Sequence, residues 1–337
     1  MDKSVLDISN YRDKKVLVTG SAGFIGSHLA EACASLGAQV TALVHYNSAG
    51  SWGMLDKVPA SLRGKMNVVA GDIQDAEFVR TIVADQEVVF HLAALIAIPY
   101  SYIAPRSYVR TNIEGTLNVL EAARSAGTPR VVHTSTSEVY GTALERPIAE
   151  THPLQGQSPY SATKIAADKL VESYHRSFEL PVITVRPFNT FGPRQSARAF
   201  IPTVISQALV GEVIKLGSLD PLRDMTFVTD TVHGFLRAGL VQGYDGQVVN
   251  LGTGATQSVG DIAKTILRLM GSDKPIVTDA SRIRPGGSEV LELVSDNRKA
   301  ADILGWSPQV SLEEGLLQTI EYVRGDIGSY RTDRYNV

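Results

Sequence analysis

Short runs of aliphatic and β-branched residues alternate with longer stretches of helical period through the first two-thirds of the chain. The runs 15–19, 39–44, 67–70, 87–91, 130–135 and 182–186 read as strands. Between them, 24–36, 75–83, 107–126 and 159–178 carry the spacing of helices. Strand–helix alternation of this kind predicts a parallel sheet with crossover helices. Several of the strands are unbroken apolar runs, as expected where helices cover both faces of a sheet.

After Arg186 the rhythm changes. Pro187, Gly192, Pro193, Pro202, Gly211, Gly217 and Pro221 divide the chain into short elements with longer loops. A run at 247–251 is expected to return to the main sheet. Helical patterns at 259–270, 298–304 and 312–324 then build a smaller second lobe. The expected division is 11–187 plus 225–257 for the sheet domain and 188–224 plus 258–325 for the lobe. A polar tail occupies 326–337.

Composition narrows the partners. The chain has 337 residues, 44% apolar and 20% charged, enough for a substantial core. A net charge of −3 argues against nucleic acid, because neutralising phosphates takes an excess of Lys and Arg. The single cysteine, Cys33, has no partner for a disulfide and sits among Ala and Leu as a small core residue. No metal-ligand cluster stands out. The first residues open no apolar stretch of signal length, and the apolar run 88–100 is broken by His91 and Pro99. A cytoplasmic protein with no membrane partner is the expectation.

The first candidate site is the loop Gly20-Ser-Ala-Gly23-Phe-Ile-Gly26, which joins the first strand to the first helix. Glycines are required where the chain turns sharply, where backbone approaches a pyrophosphate and where helix packs on strand. The helix N-terminus then offers open N–H groups and a positive dipole end to the phosphates. With this loop the fold class becomes α/β, a Rossmann-type doubly wound parallel sheet with a smaller C-terminal α/β substrate lobe. NAD-binding folds usually end the second strand in Asp or Glu, but here Val44-His45-Tyr46-Asn47 carries no acid. No Arg pair stands there for a 2′-phosphate either, so NAD is favoured and NADP stays open. Asp72, after the third strand, is placed to meet the adenine or simply to form the turn before a helix capped by Asp75.

Three further segments converge on the carboxyl edge of the sheet, where open α/β folds bind ligands. They are His133-Thr-Ser-Thr136-Ser137-Glu138-Val-Tyr140-Gly141, Tyr160-Ser-Ala-Thr-Lys164 and Arg186-Pro-Phe-Asn189-Thr-Phe-Gly192-Pro193. Tyr160 and Lys164 are four apart and share a helix face. An ammonium near the phenol favours phenolate, which lets the tyrosine accept a hydroxyl proton.

Together these motifs resemble the extended short-chain dehydrogenase/reductases that act on nucleotide sugars. The resemblance extends to Asn112 in Arg110-Thr-Asn-Ile-Glu-Gly, to Arg223-Asp-Met-Thr-Phe-Val and to Arg284-Pro-Gly-Gly-Ser-Glu. It implies a catalytic set of Thr136, Ser137, Glu138, Tyr160 and Lys164. It also implies a dinucleotide lined by Gly20, Gly23, Phe24, Ile25, Gly26, His45, Asp72, Ile73, Leu92, Ala93, Ala94 and Asn112, with Tyr160 and Lys164. Asn189, Arg198, Arg223 and Arg284 are implied as substrate contacts.

Glu138 narrows the chemistry further. Simple 4-epimerases of this family usually carry a small or apolar residue there. Thr136-Ser137-Glu138 resembles the sugar-nucleotide 4,6-dehydratases, whose Glu strips the C5 proton. Ser137 stands where many of them have the Asp that protonates the departing hydroxyl, which leaves that role open between Ser137 and Glu138. UDP-glucuronate decarboxylases share a similar triplet. The segment from Val44 to Asp56, with Trp52, resembles instead dehydratases of the legionaminic acid pathway acting on a nucleotide-linked N-acetylglucosamine. The runs 98–102 and 192–202 look like the same group. A homodimer through the helices at 107–126 and 159–178 is expected from relatives. The remaining reading, of another class, is a dinucleotide-binding sensor without catalysis.

Overall fold

The structure is a computed structural model that describes residues 7–330. The N-terminal residues read above for a signal stretch, and the tail beyond 330, lie outside the described residues. Seven parallel strands form the main sheet: β1 (Lys15–Thr19), β2 (Gln39–His45), β3 (Asn67–Gly71), β4 (Val88–His91), β5 (Arg130–Thr134), β6 (Val182–Pro187) and β7 (Val248–Leu251). Their order is β7-β6-β5-β4-β1-β2-β3, with every neighbouring pair parallel. The chain thus starts in the middle of the sheet and winds outward both ways, the doubly wound arrangement expected from the alternation.

Five helices on the two faces matter for the site: α1 (Phe24–Ser35), α2 (Ala76–Val83), α3 (Gly115–Ala126), α4 (Pro159–Phe178) and α5 (Val228–Leu240). One face is covered by α1 and α5, the other by α2, α3 and α4. Strand side chains alternate between the faces, so β1 sends Val16 and Val18 into one core and Leu17 into the other, all fully buried. That is why the strands read as continuous apolar runs.

Local signals fix where the helices begin. Asp75 caps α2 by accepting from Phe78 N–H at 3.1 Å. Ser158 and Ser161 make a reciprocal capping box at α4, with Pro159 in the first turn. The strand expectations hold to within a residue at each end, and β7 does return to the sheet. The helix expected at 107–126 is present but is not α-helical throughout. A short helix, Pro105–Tyr108, passes through a π-turn at Val109–Glu114 into α3. The cause is Asn112, whose side chain is turned inward onto the chain after β4. A π-turn lets the helix absorb that residue without losing its axis.

Beyond β6 the elements are smaller. Asn189–Phe191 pairs in parallel with Met225–Phe227, and Ile214–Leu216 with Ile276–Thr278. Leu222–Arg223 lies between Gln257–Ser258 and Glu292–Leu293. Because all seven main strands run the same way, the residues following β1 to β6 emerge along one rim. The helix pattern at 259–270 is observed with those bounds, as Val259–Met270.

Candidate functional site

Gly20 has φ +73°, and a side chain there would meet Ala93 N at 2.8 Å. A Cβ on Gly26 would lie 2.2 Å from Gly20 O. Only glycine allows the loop after β1 to pack this tightly against α1 and the chain after β4. Gly23 is the N-cap of α1 with no side-chain cap bond. The first-turn amides are therefore directed at whatever anion approaches, which fits a dinucleotide pyrophosphate.

A buried histidine braces the same loops. Thr19 Oγ1 accepts from Leu92 N–H and Ala93 N–H, both at 3.0 Å, so its hydroxyl donates to His91 Nδ1. Thr116 donates to the Asn112 carbonyl at 2.7 Å and accepts from His91 Nε2 at 3.0 Å. These partners select the neutral tautomer with the proton on Nε2. Burial, with His133 and Lys164 adding, holds His91 well below the usual histidine range. Asn112 accepts from Leu95 N–H at 2.8 Å and donates to Leu95 O and Thr163 Oγ1. Every contact it makes is to the protein, so it fixes the relation of the β4 loop to α4 from beneath.

The other implied dinucleotide residues lie along the same rim. His45 is exposed at the end of β2, Ile73 is buried, and Leu92, Ala93 and Ala94 are partly buried. Asp72 closes a turn by accepting from Gln74 N–H at 2.9 Å. The Trp52 segment sits here as well. Met54 N–H donates to Ala22 O at 2.9 Å, and Asn47, Ser51 and Asp56 bond one another in the loop. In the sheet order β2 is three strands from β5, roughly 14 Å at about 4.8 Å per strand. The Trp52 segment thus starts from the dinucleotide end of the rim, while Lys57, just past its far end, bonds Asp326 at 2.8 Å.

After β5 the short turn Ser137–Tyr140 begins with Thr136, whose Oγ1 accepts from Glu138 N–H at 3.2 Å. Burial raises the Tyr160 phenol, and Thr136 stands close enough to lower it. The Glu138 carboxylate is partly buried and takes no hydrogen bond or ion pair from a described residue. It is close enough to raise both Tyr160 and Arg223 by its charge. Ser137 is buried beside it. Tyr160 packs edge-on to Tyr108, with ring centroids 6.3 Å apart.

Lys164 departs from expectation in its aim. Its Nζ donates to Thr134 O at 2.6 Å, and burial pushes the Tyr160 phenol well up with Thr136, rather than the ammonium, opposing it. Burial also brings Lys164 down to about 8, with Asp168 opposing.

Asp168 was not singled out by sequence, although its place one turn after Lys164 on the same face was a usable signal. Its carboxylate accepts from His133, Ser135 and Arg186. Arg186 and Tyr140 stood inside quoted motifs without a role, yet they bond each other at 2.9 Å. Burial alone would raise Asp168, but the His133 bond and the Arg186 charge hold it at about 2.

On the lobe side, Arg223 donates to Glu289 at 3.1 Å, and Arg284 lies 3.6 Å from the same carboxylate. Burial lowers Arg223, partly offset by Glu138 and Glu289. Among the described residues, Asn189 Oδ1 is buried without a hydrogen-bond partner, and Arg284 Nη1 has only its 3.6 Å ion pair to Glu289. Such under-satisfied polar atoms are what a polar ligand could satisfy. Arg198 is exposed and bonds Ser196, and its charge reaches Tyr108, the ring that packs on Tyr160. Glu289, the residue between the two arginines, ended the quoted segment Arg284-Pro-Gly-Gly-Ser-Glu without being given a role.

The chain matches the family model described as GDP-mannose 4,6 dehydratase over residues 17–319. It belongs to the sugar-nucleotide dehydratase/epimerase family, within the extended short-chain dehydrogenase/reductases. A UDP-glucose 4-epimerase of Mycolicibacterium smegmatis is 35% identical over 317 residues, covering 92% of this chain and 98% of that protein. A dTDP-glucose 4,6-dehydratase of Xanthomonas campestris is 34% identical over 353 residues, covering 94% and 97%. Among solved structures, a dTDP-glucose 4,6-dehydratase from Streptomyces venezuelae with NAD bound superposes with TM-score 0.85 at 31% identity, covering 95% and 99%. A UDP-N-acetylglucosamine 4-epimerase from Methanobrevibacter ruminantium superposes with TM-score 0.85 at 28% identity, covering 94% and 99%. Dehydratases and epimerases thus lie equally near this family member, so the reaction must be argued from its own residues. No helix among its described residues is long and apolar enough to cross a membrane.

Proposed function

We propose that this family member is an NAD-dependent 4,6-dehydratase of a nucleotide-linked hexose, producing the 4-keto-6-deoxy sugar nucleotide. The observation that carries the reading is Glu138: an unpaired carboxylate on the turn that also presents Thr136 to Tyr160. A 4-epimerase has no use for an acid–base group there, because epimerisation at C4 breaks no bond at C5.

NAD, when bound, supplies the chemistry the side chains lack, taking up a hydride and giving it back. Tyr160, steadied by Thr136, accepts the O4 proton as C4 is oxidised. The resulting 4-ketone acidifies the C5–H bond. Glu138 takes that proton, and the hydroxyl leaves from C6 as water. A serine hydroxyl is too weak an acid to assist, so Glu138 protonates the leaving group and Ser137 packs beneath it. With the hydride that bound NAD would return to C6 and a proton delivered to C5, the balance closes at one water lost. Arg223, Arg284 and Asn189 hold the substrate diphosphate, with Glu289 giving up its arginines.

N-acetylglucosamine as the sugar rests on the resemblance of the Trp52 segment. The homodimer expected through the α3 and α4 faces belongs to the same reading, as does a cytoplasmic location. Incubation with UDP- and GDP-N-acetylglucosamine, followed by mass spectrometry, tests the reaction and the carrier together. A product 18 mass units lighter, for roughly one water per sugar, is expected with one carrier. Carbon dioxide released from UDP-glucuronate, or a C4 epimer of unchanged mass, would replace the dehydratase reading with a decarboxylase or an epimerase.

A further inference from the structure

Beneath the rim lies a set of buried side chains for which the proposed reaction has no direct use. Asp168 Oδ2 accepts from Ser135 Oγ at 2.8 Å and from Arg186 at 3.1 and 2.8 Å. Its Oδ1 accepts from His133 Nε2 at 3.2 Å. The remaining arm of Arg186, Nη1, donates to Tyr140 OH at 2.9 Å, and Tyr140 donates on to Asn250 Oδ1 at 2.7 Å. The guanidinium carbon also lies 4.9 Å from the Tyr140 ring centre. Asp168, Arg186, Ser135, Tyr140, His133 and Asn250 are all buried.

The placement of these contacts along the chain is informative. Ser135 immediately precedes Thr136, and Tyr140 ends the turn that contains Glu138. One ion pair therefore grips both ends of that turn. Asp168 itself belongs to α4, one turn beyond Lys164 and two beyond Tyr160. Burying an ion pair contributes little net stability, so geometric specification is the more informative role to test.

We propose that the Arg186–Asp168 pair is a positioning device that sets the Glu138 turn at a fixed relation to the Tyr160–Lys164 helix, so that C5 proton removal depends on it more than oxidation at C4 does. The two segments differ in how much else holds them. Helix α4 runs for 20 residues with its own capping box and apolar packing. The turn has four residues; Val139 and Tyr140 pack in a small apolar cluster and Gln155 bonds their carbonyls, while Ser135 and Tyr140 are the side-chain anchors to this pair. Releasing one of those anchors frees the polar side of the turn to shift and leaves the helix in place.

The inference rests on the dehydratase reading for its catalytic half, but its mechanical half does not. Tyr140→Phe keeps the ring and removes the hydroxyl, while Ser135→Ala releases the other end and serves if Tyr140→Phe folds poorly. Hydrogen exchange needs no substrate: faster exchange at 136–141, with 159–178 unchanged, is expected. Unchanged exchange at 136–141 in both variants would overturn the proposal whatever the reaction is. With C4- and C5-deuterated substrates, turnover should fall roughly ten- to hundredfold, as for a catalytic group misplaced by less than or about 1 Å. The C5 isotope effect should rise as the C4 effect falls toward unity. Isotope effects that stay at wild-type values while the melting temperature drops would mean a purely structural role. A wild-type enzyme that removes no water would sink the dehydratase reading alone, leaving the exchange result to decide the positioning.

Discussion

The two ends of the ligand-binding rim are built from different materials. At the β1–β2 end the site is backbone: Gly20 at φ +73°, Gly26 against Gly20 O, and the uncapped start of α1. At the β5–β6 end it is side chains: Thr136, Glu138, Tyr160 and Lys164, held from below by Arg186 and Asp168. A backbone cradle needs space and shape, whereas a proton-transfer site needs charges held at fixed distances. The first should therefore fail through added bulk and the second through lost charge or lost aim.

The largest expected effect is at the side-chain end. Glu138→Gln should cut dehydration by roughly two to four orders of magnitude, the usual contribution of a positioned acid–base group. Nucleotide binding, followed by calorimetry, should stay intact because the proposed diphosphate contacts, Arg223 and Arg284, are separate from the role of Glu138. Undiminished water loss in this variant would remove the residue on which the reading stands.

Next comes the backbone end. Gly26→Ala places a methyl 2.2 Å from the Gly20 carbonyl, so the loop must shift. A cost of about 1–3 kcal/mol in stability is expected, as for overpacking elsewhere. Dinucleotide affinity should fall more than nucleotide-sugar affinity. Equal loss of both would blur the distinction between the two ends.

A pH experiment separates the ends more gently. Asp168 has a folded value of about 2 against an ordinary 3.8, because His133 and Arg186 outweigh the burial that would raise it. A carboxylate held low contributes stability above its unfolded value and loses it as pH falls from about 4 to 2. The contribution is on the order of 2 kcal/mol. Asp168→Asn should flatten that acid limb in denaturation curves, and an unchanged limb would exclude the ion pair as its source. Lys164 has the opposite sense. Burial brings it to about 8, so its ammonium is lost as pH rises past 8, and any step that needs the charge slows there.

The smallest effect should be at Trp52. It is 38% exposed and belongs to a loop bonded to the dinucleotide side. Trp52→Ala should change sugar turnover by no more than about twofold, as is usual for surface positions. A change in sugar preference would bring this segment into the substrate site after all.

The same contrast governs what could be read from sequence. The sheet was legible because both faces are covered over its centre, which writes strands such as β1, β4 and β5 as largely apolar runs. The glycine loop was legible because its requirement is local: a turn, a close approach and a helix start within seven residues. Asn112 was found, but its inward turn and the π-turn around it were not, since the partner, Leu95, is 17 residues away. The Arg186 node was hidden for the same reason on a larger scale. It joins β6, α4 and the turn after β5, and its neighbours Tyr140 and Asn250 meet only once β5, β6 and β7 are paired. Glu289 reaches Arg223 across 66 residues and leaves no periodic trace.

The central claim, that one enzyme oxidises C4, eliminates water across C5 and C6, and returns the same hydride, is tested most directly by substrate deuterated at C4. The account predicts a product one water lighter with the deuterium at C6. A product of unchanged mass, or one whose deuterium has been lost to solvent, would contradict it.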